Sequence, residues 1–343
     1  MKPIFLLFCF TAFPCKLLAQ NSSAQGMDPA TAWATLAAYQ VRVFPNPEMH
    51  PLDAAGLVYY RAGNIDLKVD VITPGPETVL RPTVLNIHGG GWVHYSKDNM
   101  IFSVLPYLAR GMDVVNVDYR LANQARAPAA VEDCRCALQW VFKHAKEYGF
   151  DTQRVIVAGG SAGGHLALMT GMLDEKAGFD DGCAFTVGQE RIRVAAIVDF
   201  FGVTDLAEYL ASPEQKLAAV EWPADIPNHL ATVNDISLEV RHGVWEWFAG
   251  VPNRADLAKR VSPLTYVRPN LPPIVIVHGT ADNGVPYEQS LRLHNALEKA
   301  GVPNELVTIP NGGHGSYPDS EKLRAQAAVF RFLEEHGVLT TVH

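Results

Sequence analysis

The chain has 343 residues, 48% of them hydrophobic, enough to bury a large core as one sizeable domain or two modest ones. Its formal net charge is -8 and it has no long basic stretch, which argues against a nucleic-acid partner. Beyond the N-terminus no apolar run is long enough to suggest a spanning helix.

At the N-terminus, Lys2 precedes an almost continuous apolar stretch from Ile4 to Phe13, which Pro14 and Lys16 then interrupt. This reads as a secretory signal peptide over residues 1–24, with cleavage after Ala19 or Ala24. The alternatives are an N-terminal membrane tether or a misassigned start. A secreted or periplasmic protein with no stable membrane insertion after processing is the expectation. Of five cysteines, Cys134, Cys136 and Cys183 remain after processing. Cys134 and Cys136 lie two apart on an expected helix and point away from each other. A disulfide involving Cys183 is open, because three is an odd count.

Residues 25–54 form a leader with an apolar-spaced segment around Trp33, Leu36 and Tyr39, and the main domain is expected over 55–340. Two short strands follow, from Leu57 to Arg61 and from Leu67 to Ile72. The second alternates Leu67, Val69 and Val71 with Lys68, Asp70 and Thr73, which predicts one wet face near a sheet edge. Apolar, β-branched runs then recur from Thr83 to Ile87, Asp113 to Val117, Arg154 to Ala158, Val194 to Val198 and Ile274 to Val277, with a last strand from Glu305 to Ile309. Helical patterns lie from Phe102 to Arg110, Ala129 to Tyr148, Ala162 to Met172, Tyr287 to Ala300 and Ser320 to His336. This alternation predicts an α/β fold, a mainly parallel sheet covered by helices on both faces. Functional residues then belong in the loops beyond the carboxyl ends of the strands. The rhythm breaks between Phe201 and Pro273, where two helices are expected, from Val203 to Leu210 and from Leu238 to Phe248. That interval, residues 202–262 above all, reads as an inserted helical lid carrying Trp222, Trp245 and Trp247.

The chemistry gathers at the strand ends. Gly159-Gly160-Ser161-Ala162-Gly163 joins a strand to a helix through small residues, the sharp turn that exposes a nucleophilic serine. Asp282 and His314 follow later strands, giving the order serine, aspartate, histidine. His314 sits among glycines in Asn311-Gly312-Gly313-His314-Gly315, where nothing continues a packed apolar face. His314 is the expected base and Asp282 its orienting acid. His88-Gly89-Gly90-Gly91-Trp92 follows the strand ending at Ile87, and the N–H groups of Gly90, Gly91 and Ala162 are the expected oxyanion donors. Each element alone has a bland explanation: a tight turn, a helix cap, a spare histidine among twelve. Four of them in order at strand ends do not. No metal, flavin, nicotinamide or phosphate cofactor is called for, since the glycines at 89–91 lack the spacing of a dinucleotide loop.

These motifs, with Val117-Asp118-Tyr119-Arg120-Leu121, Gly163-Gly164-His165-Leu166-Ala167, Ser262-Pro263-Leu264 and Val285-Pro286, resemble the α/β-hydrolase esterases. The likeness is to the branch joining hormone-sensitive-lipase-like enzymes to bacterial acetyl-xylan and feruloyl esterases, and it covers about residues 55 to 337. It implies an α/β-hydrolase fold with Ser161, Asp282 and His314 as triad, and Asp118, Tyr119 and Arg120 as a structural turn. It also implies a serine carboxylesterase acting on short-acyl or aryl esters, among them acetyl or feruloyl esters of plant polysaccharide. The alternatives are an amide hydrolase of the aryl-formamidase type and an inactive binding protein on the same fold. The expected partner is a small-molecule or polysaccharide-linked ester, and no feature sets an oligomeric state. Trp92, His165, Trp222, Trp245 and Val285 are the expected pocket positions. Asn283-Gly284, where related enzymes carry a bulkier pair, is expected to open one rim, and the interval from Asp174 to Arg193 to add to the pocket wall.

Overall fold

A computed structural model describes residues 42–43, 57–74, 78–183, 192–211 and 236–339. The expected signal peptide, most of the leader, Trp222 and part of the interval after Asp174 lie outside these residues. Among the described residues nine strands form one sheet: β1 (Arg42–Val43), β2 (Leu57–Ala62), β3 (Ile65–Thr73), β4 (Arg81–Ile87), β5 (Asp113–Val117), β6 (Phe150–Gly160), β7 (Ala196–Phe200), β8 (Ile274–Gly279) and β9 (Asn304–Ile309). Their order is β1-β3-β5-β4-β6-β7-β8-β9, with β2 paired to β3. Pairings from β5 through β9 are parallel, and those of β3 are antiparallel. The sheet is the mostly parallel one expected, in an α/β-hydrolase fold.

Side chains alternate between its two faces, as a period of two requires. Leu85, Ile87, Val155 and Val157 enter one core with helices α2 (Ala129–Lys143) and α4 (Ala162–Met172). Val84, Ile156 and Ala158 enter the other, with α1 (Leu105–Leu108) and α9 (Asp319–Glu335). Because both faces are covered, the central strands are buried on both faces and mostly apolar, and the polar residues they carry, Asn86, Asn116 and Asp199 among them, are buried too.

Several elements differ from expectation. The pattern from Phe102 forms a 3-10 turn, Ile101–Val104, before α1. The long pattern from Ala129 to Tyr148 divides at His144 into α2 and α3 (Ala145–Tyr148). The insertion holds α5 (Leu206–Ala211) and α6 (Ile236–Trp247), and also α7 (Arg254–Arg260), which no pattern announced. Helix α8 (Glu288–Ala300) matches its pattern closely.

The wet face expected of β3 is a correction. β3 lies inside the sheet, and Asp70 is 1% exposed because it forms an ion pair at 2.9 Å with Lys97, itself buried. Alternation of polar residues marks solvent only when the polar groups lack a buried partner. The open question about Cys183 is also answered: it bonds to Cys136, with Cα atoms 5.4 Å apart, and Cys134 stays a buried free thiol. This bond ties α2 to the segment after α4 across 47 residues. Cys183→Ser is therefore expected to lower unfolding free energy by about 3 kcal/mol in denaturant titrations. An unchanged midpoint would show that the loop is held without the bond.

Candidate active site

Ser161 stands between β6 and α4 at φ 57°, ψ -123°, a conformation that costs a non-glycine residue about 1–3 kcal/mol. Hydrogen bonds hold it there: Ser161 N–H donates to Phe200 O at 2.8 Å, and His165 N–H to Ser161 O at 3.0 Å. Small neighbours are required by close approach. A Cβ on Gly163 would lie 2.2 Å from Ile87 O, and one on Gly159 would lie 2.3 Å from Gly163 O.

The three residues expected to work together meet. Ser161 Oγ lies 2.8 Å from His314 Nε2, and His314 Nδ1 lies 2.8 Å from Asp282 Oδ2. A carboxylate only accepts, so His314 carries its proton on Nδ1 and Nε2 is free to accept from the serine hydroxyl. Asp282 Oδ1 accepts the N–H groups of Gly284 and Val285, each at 2.8 Å. Burial alone would raise the Asp282 pKa, but hydrogen bonds from His278 and His314 outweigh it and hold the carboxyl down at about 2. His278 is a neighbour of Asp282 that sequence reasoning missed. Its Nε2 lies 3.2 Å from Asp282 Oδ2 and 2.9 Å from Val285 O, while Ser290 Oγ is 2.6 Å from Nδ1. The signal for it was its place four residues before Asp282, on the last turn of strand.

The glycine loop lies beside Ser161: a Cβ on Gly89 would come within 3.5 Å of Ser161 Cβ. Gly90 at φ 104° and Gly91 at φ 58° adopt backbone that favours glycine. Gly90 O accepts from Val93 N and His94 N at 3.0 and 2.9 Å, which closes the loop on itself. Neither the Gly90 nor the Gly91 N–H donates to a backbone carbonyl among the described residues. Ala162 is the first residue of α4, where N–H groups have no helical acceptor. Tyr119 braces the loop from below, its hydroxyl donating to His88 O at 3.1 Å and its ring stacked on His88. Asp118 accepts from Lys97 N at 2.8 Å, and Arg120 pairs with Asp133 at 2.7 Å. Asp118, Tyr119 and Arg120 thus form the structural turn expected of them.

The expected pocket positions fare differently. Trp92 and His165 are fully buried beneath the loop: Trp92 stacks on Trp247 at 4.8 Å, and His165 Nε2 donates to Val261 O at 2.7 Å. Burial depresses the His165 pKa to about 4, so its ring is neutral at neutral pH. Val285 is buried too, with its N–H on Asp282 and its carbonyl beside His278. These three build the site from beneath and present no surface to a substrate, because each is spent on interior packing or hydrogen bonds. Trp245 is half-buried on α6, and Trp222 lies outside the described residues. At the rim, Asn283 is exposed, whereas Gly284 is buried and closely packed. A Cβ on Gly284 would be 3.3 Å from both the His314 ring and Val240 of α6. Helix α6 also crosses the glycine loop closely, since a Cβ on Gly243 would lie 2.1 Å from Gly91 O.

Residues 69–297, which include the loop, the serine and the aspartate, match the family described as BD-FAE. The chain belongs to the BD-FAE family. Est2 of the planctomycete Thermogutta terrifontis, solved with butyrate bound, is 28% identical, with a TM-score of 0.63 over 84% of this chain and 95% of its own. A truncated carbohydrate esterase from gut microbiota is 25% identical, with a TM-score of 0.61 over 78% of this chain and 90% of its own. Esterase LipC of Mycobacterium tuberculosis is 27% identical over 236 residues, which cover 68% of this chain and 53% of LipC. The chain spans about half the length of the curated relatives it matches. The BD-FAE chain is thus similar to esterases in both sequence and fold.

Below the triad lies Asp199, fully buried at the end of β7. Oδ1 accepts from Gly202 N at 2.9 Å, and Oδ2 has no partner among the described residues. Burial raises its pKa to about 7, against the smaller opposing pull of His278 and the Gly202 N–H. Between about pH 4 and pH 7 the folded chain keeps a proton that the unfolded chain releases, so this group lowers stability as pH rises. Asp199→Asn keeps the acceptor for Gly202. Its stability relative to wild type is expected to grow by up to about 4 kcal/mol from about pH 4 to pH 8, read by urea unfolding. A constant difference across that range would mean the carboxyl is already ionised when folded.

Proposed function

We propose that this chain hydrolyses carboxylic esters through a covalent acyl-enzyme on Ser161. The observation that carries the reading is the unbroken relay from Ser161 through His314 to Asp282, both links at 2.8 Å, beside a glycine loop at positive φ. His314 Nε2 takes the hydroxyl proton as Ser161 Oγ attacks the carbonyl carbon. The C=O electron pair moves onto oxygen, where the N–H groups of Gly90, Gly91 and Ala162 receive it. One such donor contributes about 3 kcal/mol to the transition state. The tetrahedral species collapses by breaking the bond to the alkoxy oxygen, which leaves with the proton from His314. Water then repeats the sequence on the acyl-enzyme and releases the acid. Asp282, ionised throughout, holds the imidazole tautomer and favours the imidazolium.

Within that chemistry the reading extends to short-acyl and aryl esters, with acetyl or feruloyl groups on plant polysaccharide as the physiological class. Similarity to a carbohydrate esterase from gut microbiota supports it. Secretion or periplasmic residence fits the Cys136–Cys183 bond, since such bonds persist in oxidising compartments. The segment with α6 acts as the lid.

Purified protein is expected to turn over p-nitrophenyl acetate, with Ser161→Ala lowering kcat by about 10⁴-fold or more and His314→Ala by a similar factor. Asp282→Asn is expected to lower it by about 10⁴-fold through the wrong tautomer. Equal turnover by wild type and Ser161→Ala would remove the serine mechanism. Release of acetate from acetylated xylan, set against release of ferulate from feruloylated arabinoxylan, decides between the two polysaccharide classes.

A further inference from the structure

Asp282 stands between two imidazoles. Its Oδ2 faces His314 Nδ1 at 2.8 Å on one side and His278 Nε2 at 3.2 Å on the other. The far nitrogen of each ring meets a serine hydroxyl: Ser161 Oγ lies 2.8 Å from His314 Nε2, and Ser290 Oγ lies 2.6 Å from His278 Nδ1. Two serine–histidine arms thus share one carboxylate oxygen. They differ in access. Ser161 and His314 keep 9% and 8% of their surface exposed, whereas His278 and Ser290 keep 0%. The sealed arm is held on all sides: His278 stands next to the last residue of β8, and Ser290 lies in the first turn of α8. The His278 ring meets Phe201 and Tyr287 edge-on, with centroids 6.4 and 5.7 Å apart, and the Tyr287 hydroxyl is bonded in turn to Thr308 of β9 at 2.6 Å.

The partners fix where the sealed arm keeps its hydrogens. His278 Nε2 faces the Asp282 carboxylate at 3.2 Å and Val285 O at 2.9 Å, and both can only accept. Nε2 therefore carries the hydrogen, the reverse of His314, which carries its own on Nδ1. In the neutral ring Nδ1 is then an acceptor, and the Ser290 hydroxyl donates to it. This shared N–H joins both ends of the turn 282–285, whose Gly284 and Val285 N–H groups already hold Asp282 Oδ1. A carboxylate held at Oδ1 alone still pivots there. Oδ2 is the oxygen that orients the base, and His278 is the donor that holds it from the side opposite His314.

From this we infer that His278, set by Ser290, is a positioning residue for the reaction: its Nε2–H fixes Asp282 Oδ2 against His314 Nδ1 while Ser161 attacks. The inference rests on the ester-hydrolase reading and deepens it. No proton moves at His278. The Ser161 proton goes to His314 Nε2 and on to the leaving oxygen, and the His278 N–H stays in place through acylation and hydrolysis alike. With no exposed surface, His278 cannot touch a substrate, so it acts through Asp282 and leaves substrate binding alone. The Ser290 hydroxyl keeps the ring in this tautomer. Without it Nδ1 is free to take the hydrogen, which would turn a bare Nε2 lone pair toward the carboxylate.

The test measures kcat and KM of the full chain on p-nitrophenyl acetate in two backgrounds. His278→Leu is expected to lower kcat by about 10–100-fold, the loss of one hydrogen bond to a charged group, with KM within about twofold of wild type. In an Asp282→Ala background the same change should lower kcat by less than about twofold, because the group it acts through is gone. His278→Gln, whose amide N–H reaches the Nε2 position, should bring kcat back to within about fivefold of wild type. Ser290→Ala carries the test should His278→Leu fail to fold: kcat about threefold lower or more, again only where Asp282 is present. Equal losses in both backgrounds would make His278 a packing residue and overturn the assignment, as would an unchanged kcat in folded His278→Leu. A His278→Gln loss as deep as that of His278→Leu would overturn the role of the N–H. Wild type inactive on every ester defeats the hydrolase reading itself, an outcome separate from these because no variant enters it.

Discussion

The site depends on how closely three backbone segments approach one another. The carboxyl end of β4, the end of β6 and the first turn of α4 touch through main-chain atoms, with Gly159 and Gly163 at the contacts. A methyl group at Gly163 would overlap Ile87 O at 2.2 Å and His88 O at 2.6 Å, so even alanine would force the helix off the strand. That contact sets the glycine loop beside Ser161 and gives the serine its strained backbone. The strain persists because the residues on either side are over-determined: Ser161 N–H is bonded to β7, and its carbonyl to the helix. Nothing at the triad needs to move to reach bonding distance.

Much of this was legible in the sequence because the signals are local. The strands β5 and β8 begin where their apolar runs begin, α4 spans its pattern, and each chemical residue sits in the loop after a strand. What the sequence hid depends on partners distant along the chain. Asp70 reads as a surface residue until Lys97 is placed against it, and Lys97 arrives from the segment after the glycine loop. Trp92 reads as a pocket wall until Trp247 of α6 stacks on it. Cys136 and Cys183 cannot be paired from spacing, and Phe201 carries no motif, although it touches the base. Helix α7 is too short for a periodicity to emerge and starts from Asn253 at φ 53°, a local cue that no apolar stripe reinforces.

The tie between the glycine loop and the rest of the sheet is polar and buried. Asn86 at the end of β4 donates to Asn116 Oδ1 at 2.8 Å, and Asn116 donates onward to Lys97 O at 2.8 Å. Lys97 then meets Asp70 of β3 and Asp98, each at 2.9 Å. Burial would lower the Lys97 pKa, but Asp70, Asp98 and Asp118 outweigh it and hold the ammonium charged. Asp70 is raised to about 6 by the same burial, against the pull of Lys97. Ions taken from water stabilise little by themselves. Their value here is directional, since hydrogen bonds set by angle fix the exit of β4 more narrowly than apolar contacts do.

Two buried carboxylates, Asp282 and Asp199, show the same physics with opposite outcomes. Asp282 collects four donors: the N–H groups of Gly284 and Val285 and the rings of His278 and His314. Desolvation is overcome and the group stays ionised. Asp199, at the end of the neighbouring strand, has one donor among the described residues, Gly202 N–H, and burial prevails. The difference lies in the turn that follows each strand. After β8 the chain folds back so that Gly284 and Val285 point their N–H groups at the acid. After β7 it turns away through Phe201 into the insertion, leaving one oxygen without a partner among the described residues. Two aspartates at adjacent strand ends are therefore not interchangeable, and chain order alone does not select the orienting acid. The number of N–H groups that the following turn aims at the carboxylate does.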